Sequence, residues 1–410
     1  MNSGKQIRNV VILFSVPQNT GDEALLEAMK QGLKLFMPGI KFSLTVKSLH
    51  FLPAGVLDNK IVYDPDEAIF RDTNVSRSYW LQRIRKILSR LGILHLAVKY
   101  AWWATSWWKE TMAEIDKADL IILSGGGYLN DTYDARPKLA AITRIAARTS
   151  TPIILMGQSV GPFWRNSSIN LFGKALSQMS VISLRESISL QWIPDHLKQD
   201  VQILPDLAFF LYRESNVVLE KKNKANGIHI GVCFRSWGND QKYIEDLGVI
   251  VVSRLMAHYG ANITFISTCQ GIPGYVDDQD MSTKITVRTG MTDTIKIDRI
   301  HHSPDSFLSA CMSFDAVISM RLHGCILSML SGTPAFCIGY EDKSEGIYEM
   351  LGFEKYHIHY KQKPDYILNA IDTFMDSIRV TTQELPVKMA DMYEKSTMNF
   401  EQLKPFESHE

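Results

Sequence analysis

Residues 315–343 read DAVISMRLHGCILSMLSGTPAFCIGYEDK. An apolar run at 315–320 is a buried strand. A helix begins near Arg321 and ends at Gly332. A second apolar run at 334–340 is the next strand, and the next helix opens at Lys343. Continuous rather than alternating apolar runs, each followed by helical periodicity, belong to parallel strands covered on both faces.

The same rhythm extends outward. Residues 9–16 are a first strand, followed by a helix capped by Asp22 with Leu25, Leu26, Met29 and Leu33 on one face. Strands follow at 41–48, 119–124, 152–157, 181–184 and 202–204. A polar stretch at 213–227, containing KKNKANG, is the linker. The pattern then restarts with a strand at 227–234, a helix at 240–259, a strand at 261–268 and a capped helix at 303–314. The fold class is α/β: two doubly wound, Rossmann-like domains, with the site expected in the cleft between them. The boundaries are 1–215 with an insert at 73–114, then 227–375, then a helical tail at 376–410.

Composition narrows the function classes. The chain has 410 residues, 45% of them apolar, with Lys+Arg and Asp+Glu at 44 each. Bulk charge therefore gives no reason to expect a nucleic-acid partner. The cysteines, 233, 269, 311, 325 and 337, form neither a CxxC nor a disulfide framework. The histidines lack metal-ligand spacing, so no metal is expected. No stretch is apolar enough to span a membrane; the nearest, 93–108, is interrupted by Lys99. With the N-terminal apolar run read as a strand rather than a leader, the chain is expected in the cytoplasm.

The chemistry gathers at strand ends. Arg321 and His323 stand at a strand-to-helix junction, where free N–H groups favour an anion. Arg321 adds a two-pronged grip for phosphate or carboxylate, and His323 a proton donor near neutral pH. Lys343 arrives at the neighbouring strand end. Arg185 and Arg235 each follow a strand as well. The glycine run that includes Gly126 and Gly127 serves a close ligand approach or a tight turn. Asn19 and Asp22 serve a ligand or a helix cap. Cys269 is a reactive thiol or a buried inert one. Between Arg77 and Trp108 there are six Lys/Arg and no Asp/Glu, with Trp102, Trp103, Trp107 and Trp108 clustered. Such a segment docks on a membrane interface, or it packs on the first domain with its charges solvated.

In this order, NTGDEALL (19–26), LSGGGYLND (123–131), GQSVGPF (157–163), LRESISL (184–190), PDLAFF (205–210), STCQGIPGYVDDQD (267–280) and the 321–353 segment resemble the polysaccharide pyruvyl transferase family. The likeness is greatest to the colanic-acid type of exopolysaccharide clusters. The resemblance implies a glycosyltransferase-B-like pair of domains. It implies phosphoenolpyruvate as donor substrate, a saccharide diol, free or polyprenyl-linked, as acceptor, and a pyruvate ketal and phosphate as products. Carried onto this sequence, it implies that Arg321, His323 and Lys343 hold the donor, with His323 as acid and no cofactor; Arg185 and Arg235, by their place after a strand, and Gly324 are expected on the same donor side. Asn19, Asp22, Gly126, Gly127, Gln158, Asp206, Cys269 and Glu341 line the acceptor side or the cleft. The rivals are a glycosyltransferase using a nucleotide sugar and a non-catalytic membrane-associated subunit of exopolysaccharide assembly.

Overall fold

The computed structural model describes residues 7–100, 105–214, 227–272 and 275–406. The chain divides into two compact units. One comprises Met1–Pro17, Met29–Leu207 and Thr397–Glu410, the other Gln18–Ala28 and Ala208–Ser396.

The first unit is built on a parallel sheet. Its strands are β1 (Asn9–Ser15), β2 (Lys41–Val46), β3 (Lys60–Tyr63), β4 (Leu120–Leu123), β5 (Gly126–Leu129), β6 (Ile153–Val160), β7 (Val181–Leu184) and β8 (Val201–Ile203). They lie in the order β3-β2-β1-β4-β6-β7-β8, with β5 beside β6. Strands β1, β4 and β6 are buried almost throughout, which is why their sequences are unbroken apolar runs. The helices are α1 (Thr20–Phe36), α2 (Pro65–Ala68), α3 (Val75–Arg90), α4 (Leu94–Tyr100), α5 (Ser106–Asp116), α6 (Arg136–Ala146) and α7 (Asn166–Leu176). Helix α1 begins in the second unit and continues into the first.

The cap of α1 is Asn19, not Asp22. The Asn19 Oδ1 accepts the Gly21 N–H at 3.0 Å, which places Asp22 inside the first turn. There its charge suits the positive helix end.

The second unit carries β9 (His229–Cys233), α8 (Gln241–Tyr259), β10 (Asn262–Phe265), α9 (Asp278–Thr289), β11 (Lys296–Ile297) and α10 (Pro304–Cys311). They are followed by β12 (Ala316–Ser319), α11 (Leu322–Leu330), β13 (Ala335–Gly339), α12 (Lys343–Leu351), β14 (His357–His359) and α13 (Pro364–Glu401). Its strand order is β11-β10-β9-β12-β13-β14, all parallel. This is the Rossmann order, and it reverses between β9 and β12, where Ser319 stands in register with Cys233. Helix α13 passes without a break through residue 376, where the sequence suggests a separate tail. The linker expected at 213–227 falls mostly outside the described residues.

His357 connects this sheet to the start of α12. Its Nε2 lies 3.0 Å from Ser344 Oγ, and burial, helped by His359, pushes the imidazole down to about 4. The unfolded chain takes up that proton near the ordinary value of 6.5, the folded protein only near 4. The unfolded state therefore binds more protons across this window, and stability falls as the pH drops through it, by up to about 3 kcal/mol. In His357→Gln that contribution should vanish. Urea midpoints between pH 4 and pH 7 measure it; an unchanged slope in the variant would count against a buried neutral imidazole.

Candidate functional site

The reversal between β9 and β12 opens a crevice at the carboxyl ends of the strands, and the second unit sends its charged motifs there. Arg321 follows β12 and caps α11. Its Nε and Nη2 donate to Asp278, the closest contact being 2.6 Å. Asp278 is fully buried and also accepts the backbone N–H groups of Thr268 and Cys269. Burial opposes the Arg321 charge, but Asp278 outweighs it, and the guanidinium is held well above its ordinary value. The two-pronged edge that the sequence assigns to phosphate is thus turned to a carboxylate of the same unit.

His323 stands in the first turn of α11. The Asn19–Asp22 turn packs onto it so closely that a Cβ on Gly21 would lie 2.5 Å from the His323 Cβ. The turn is fixed on its other side, since Thr20 donates its N–H to the Thr268 carbonyl and its hydroxyl to the His302 carbonyl. Gly324 is equally constrained: a Cβ there would meet Ser319 Oγ at 2.8 Å.

Arg235 follows β9. Its Nη1 donates to the Tyr340 hydroxyl at 2.7 Å, and its guanidinium lies over the rings of Trp237 and Tyr340. Lys343, at the start of α12 after β13, stands 2.7 Å from Glu341. Arg321, His323, Arg235, Lys343 and Glu341 are therefore assembled by the carboxyl ends of β9, β12 and β13, with Asp278 and the Asn19–Asp22 turn beside them.

Other candidates occupy different places. Cys269 is buried, and burial pushes its thiol up to about 11, so it lines the interior as a thiol and not as a thiolate nucleophile. Arg185 and Asp206 belong to the first unit and form an ion pair at 2.6 Å with both side chains essentially inaccessible. The Arg185 Nε also donates to Ser159. Arg185, expected to face the cleft, is thus buried and held by a carboxylate of its own unit. Gln158 is buried in β6 and donates to the Ser124 carbonyl. Gly126 and Gly127 open β5 and do not form a loop; Gly126, at φ 141°, takes a conformation that suits glycine.

In the insert, Trp108 is buried, with the Arg144 guanidinium over its ring, and Trp107 meets the edge of Tyr63. Trp102 and Trp103 lie outside the described residues.

Two groups escaped sequence reasoning. Asp278 sits in VDDQD behind Asp277, which caps α9, so the pair resembles ordinary helix capping. In the first unit, Asp64, Asp66 and Glu67 are buried beside Lys138, with Arg85 paired to Glu67. Burial, against the pull of Lys138, raises Asp64 to about 6. Adjacent acids in DPDE were the available signal.

A model of the family described as polysaccharide pyruvyl transferase matches residues 19–342, from the Asn19 cap to the residue before Lys343. Among curated proteins, the amylovoran biosynthesis protein AmsJ of Erwinia amylovora is 24% identical over 371 residues, 82% of this chain and 83% of the relative. Among solved structures, HepE of Anabaena, in complex with UDP and glucose, superposes with a TM-score of 0.55 at 12% identity, covering 97% of this chain and 98% of the other. A UDP-GlcNAc 2-epimerase of Neisseria meningitidis gives 0.53 at 9% identity, covering 97% and 100%. At such identities the structural likeness concerns the fold.

Removing the Asp278 charge should leave a buried guanidinium uncompensated. Asp278→Asn is expected to cost about 3–5 kcal/mol, and the Asp278→Leu/Arg321→Met pair distinctly less than either single change. Urea unfolding of the cycle decides; a loss below about 1 kcal/mol for Asp278→Asn, of the size seen for exposed ion pairs, would mean that the pair is not an anchor. All five cysteines are free and buried. Native protein at pH 8 should therefore resist alkylation at Cys269 until it is unfolded, and rapid native labelling of that peptide would contradict the burial.

Proposed function

Since the chain belongs to the polysaccharide pyruvyl transferase family, we propose that it transfers the pyruvyl group of phosphoenolpyruvate to two hydroxyls of an exopolysaccharide unit. The products are a cyclic ketal and inorganic phosphate. The observation that carries this reading is the gathering of Arg321, His323, Arg235 and Lys343 around the switch point of one sheet, within or directly beside the matched region.

Phosphoenolpyruvate brings a phosphate and a carboxylate a short distance apart. The N-terminus of α11 offers backbone N–H groups to the phosphate. Arg235, backed by two aromatic rings, adds a guanidinium, and Lys343 takes the carboxylate. Arg321 contributes positive potential while its Nε edge stays on Asp278. His323 gives a proton to the methylene carbon, and positive character develops at the neighbouring ketal carbon. One saccharide hydroxyl bonds to that carbon and loses its proton. The carbon–oxygen bond to phosphate then breaks, and the second hydroxyl closes the ring with loss of its own proton. One proton thus ends on the methyl group and the other on phosphate, so the sum balances. Neither metal nor organic cofactor enters these steps.

The acceptor is the repeat unit of an exopolysaccharide, carried on a polyprenyl lipid at the inner face of the cytoplasmic membrane. AmsJ, a protein of amylovoran biosynthesis, supports the saccharide class.

The test is phosphate release from phosphoenolpyruvate in the presence of lipid-linked saccharides, with the product identified by mass. Turnover should persist in EDTA and should not be competed by nucleotide sugars. His323→Ala should lower kcat by roughly 10²-fold or more with a smaller change in donor KM. Near-wild-type kcat in that variant would falsify the acid role. Turnover of a nucleotide sugar in place of phosphoenolpyruvate would favour the glycosyltransferase reading.

A further inference from the structure

We propose that helix α3 is a docking face for an anionic phospholipid bilayer. Trp80, Ile84, Ile87 and Leu91 follow one another at four-, three- and four-residue steps, so they form one stripe along the helix. They are 62%, 43%, 55% and 65% exposed. Tyr79 and Val75 are exposed as well, and no residue of α3 is buried. Such a row of large apolar side chains on an outer face asks for a cover.

A different part of the helix holds it to the protein. Leu81 and Leu88 pack on the core of the first unit, Gln82 donates to the Phe70 carbonyl, and Arg85 pairs with Glu67. The helix is therefore fixed on its inner side by partners of its own, and the Trp80 stripe is not needed for that attachment.

Charge decides what covers the stripe. The segment from Val75 to Tyr100 holds six cations and no acid. Arg77 and Arg85 pair with Asp72 and Glu67. Arg83, Lys86 and Arg90 are exposed, and among the described residues no carboxylate pairs with them. Arg83 lies over the rings of Tyr79 and Trp80. An apolar stripe with tryptophan and tyrosine, flanked by cations without counter-charges, complements a negatively charged lipid interface. A second copy of this face would bring the same cations together and repel.

The docking element is α3. It is not the cluster around Trp108, which is turned inward. This proposal deepens the membrane-facing part of the proposed function and rests on it only for the reason to dock; binding is read without turnover.

Vesicle flotation tests it. One set of vesicles contains phosphatidylglycerol in phosphatidylethanolamine, the other phosphatidylcholine alone. Wild-type protein should float with the anionic vesicles at low salt, be released at high salt, and stay behind with the neutral ones. Each near-surface cation is worth roughly fivefold in partitioning, so Arg83→Gln/Lys86→Gln/Arg90→Gln should lose on the order of a hundredfold. Trp80→Ser/Ile84→Ser/Ile87→Ser should lose flotation as well. Both variants should keep the wild-type circular dichroism melt and, on a water-soluble saccharide acceptor, the wild-type turnover.

Wild-type protein that stays soluble at low salt would overturn the proposal, as would flotation of both variants equal to wild type. Sedimentation showing a wild-type dimer that the serine variant dissolves, without lipid binding, would assign the stripe to a second copy instead. Failure of pyruvyl transfer alone would leave the flotation result standing.

Discussion

The buried ion pair between Arg321 and Asp278 is the constraint on which the site depends. Asp278 receives the Arg321 guanidinium and two backbone N–H groups of the loop after β10, and it begins α9. One carboxylate thus joins the ends of β10 and β12 and the start of a helix. Because Arg321 is also the cap of α11, the pair sets the direction in which that helix, and His323 on its first turn, meets the Asn19–Asp22 turn. Buried charges persist only when paired and hydrogen-bonded, and both conditions are met here.

This pairing changes how the cations act. Arg321 and Lys343 each hold a carboxylate at rest, Asp278 and Glu341. The repulsion among the clustered positive charges is thereby reduced. Arg235 differs from both, since its guanidinium is held by a hydroxyl and by the ring faces of Tyr340 and Trp237; in the proposed reaction it and the helix terminus draw in the anionic donor. The fold is shared with a UDP-GlcNAc 2-epimerase and with HepE, in complex with UDP and glucose, yet at 9–12% identity it carries no donor with it. The family and the residues at the strand ends are what the proposed donor rests on.

Much of the fold was legible because parallel strands are buried on both faces. The apolar runs at 315–320 and 334–340 contain β12 and β13, and α12 runs over Lys343–Leu351. Strand-end positions for Arg235, Arg321 and Lys343 follow from the same rhythm. What escaped was pairing at a distance. Asp278 is 43 residues from Arg321, and Asp206 is 21 from Arg185. No local pattern reveals that a charge standing alone in the sequence will meet another across a sheet. Tryptophan count does not report exposure either: of the four clustered tryptophans, Trp107 and Trp108 pack inward, whereas the exposed stripe is built from Trp80, Ile84, Ile87 and Leu91.

The bond that breaks in the donor is the most direct measure of the chemistry. Phosphoenolpyruvate carrying a heavy-oxygen label at the bridge between carbon and phosphorus would be turned over with a saccharide acceptor, and both products examined by mass. Attack of the hydroxyls at the ketal carbon sends the label entirely into inorganic phosphate, and in deuterated water it leaves deuterium on the methyl group. Label found outside phosphate, or a methyl group without deuterium, would contradict pyruvyl transfer by protonation and carbon–oxygen cleavage.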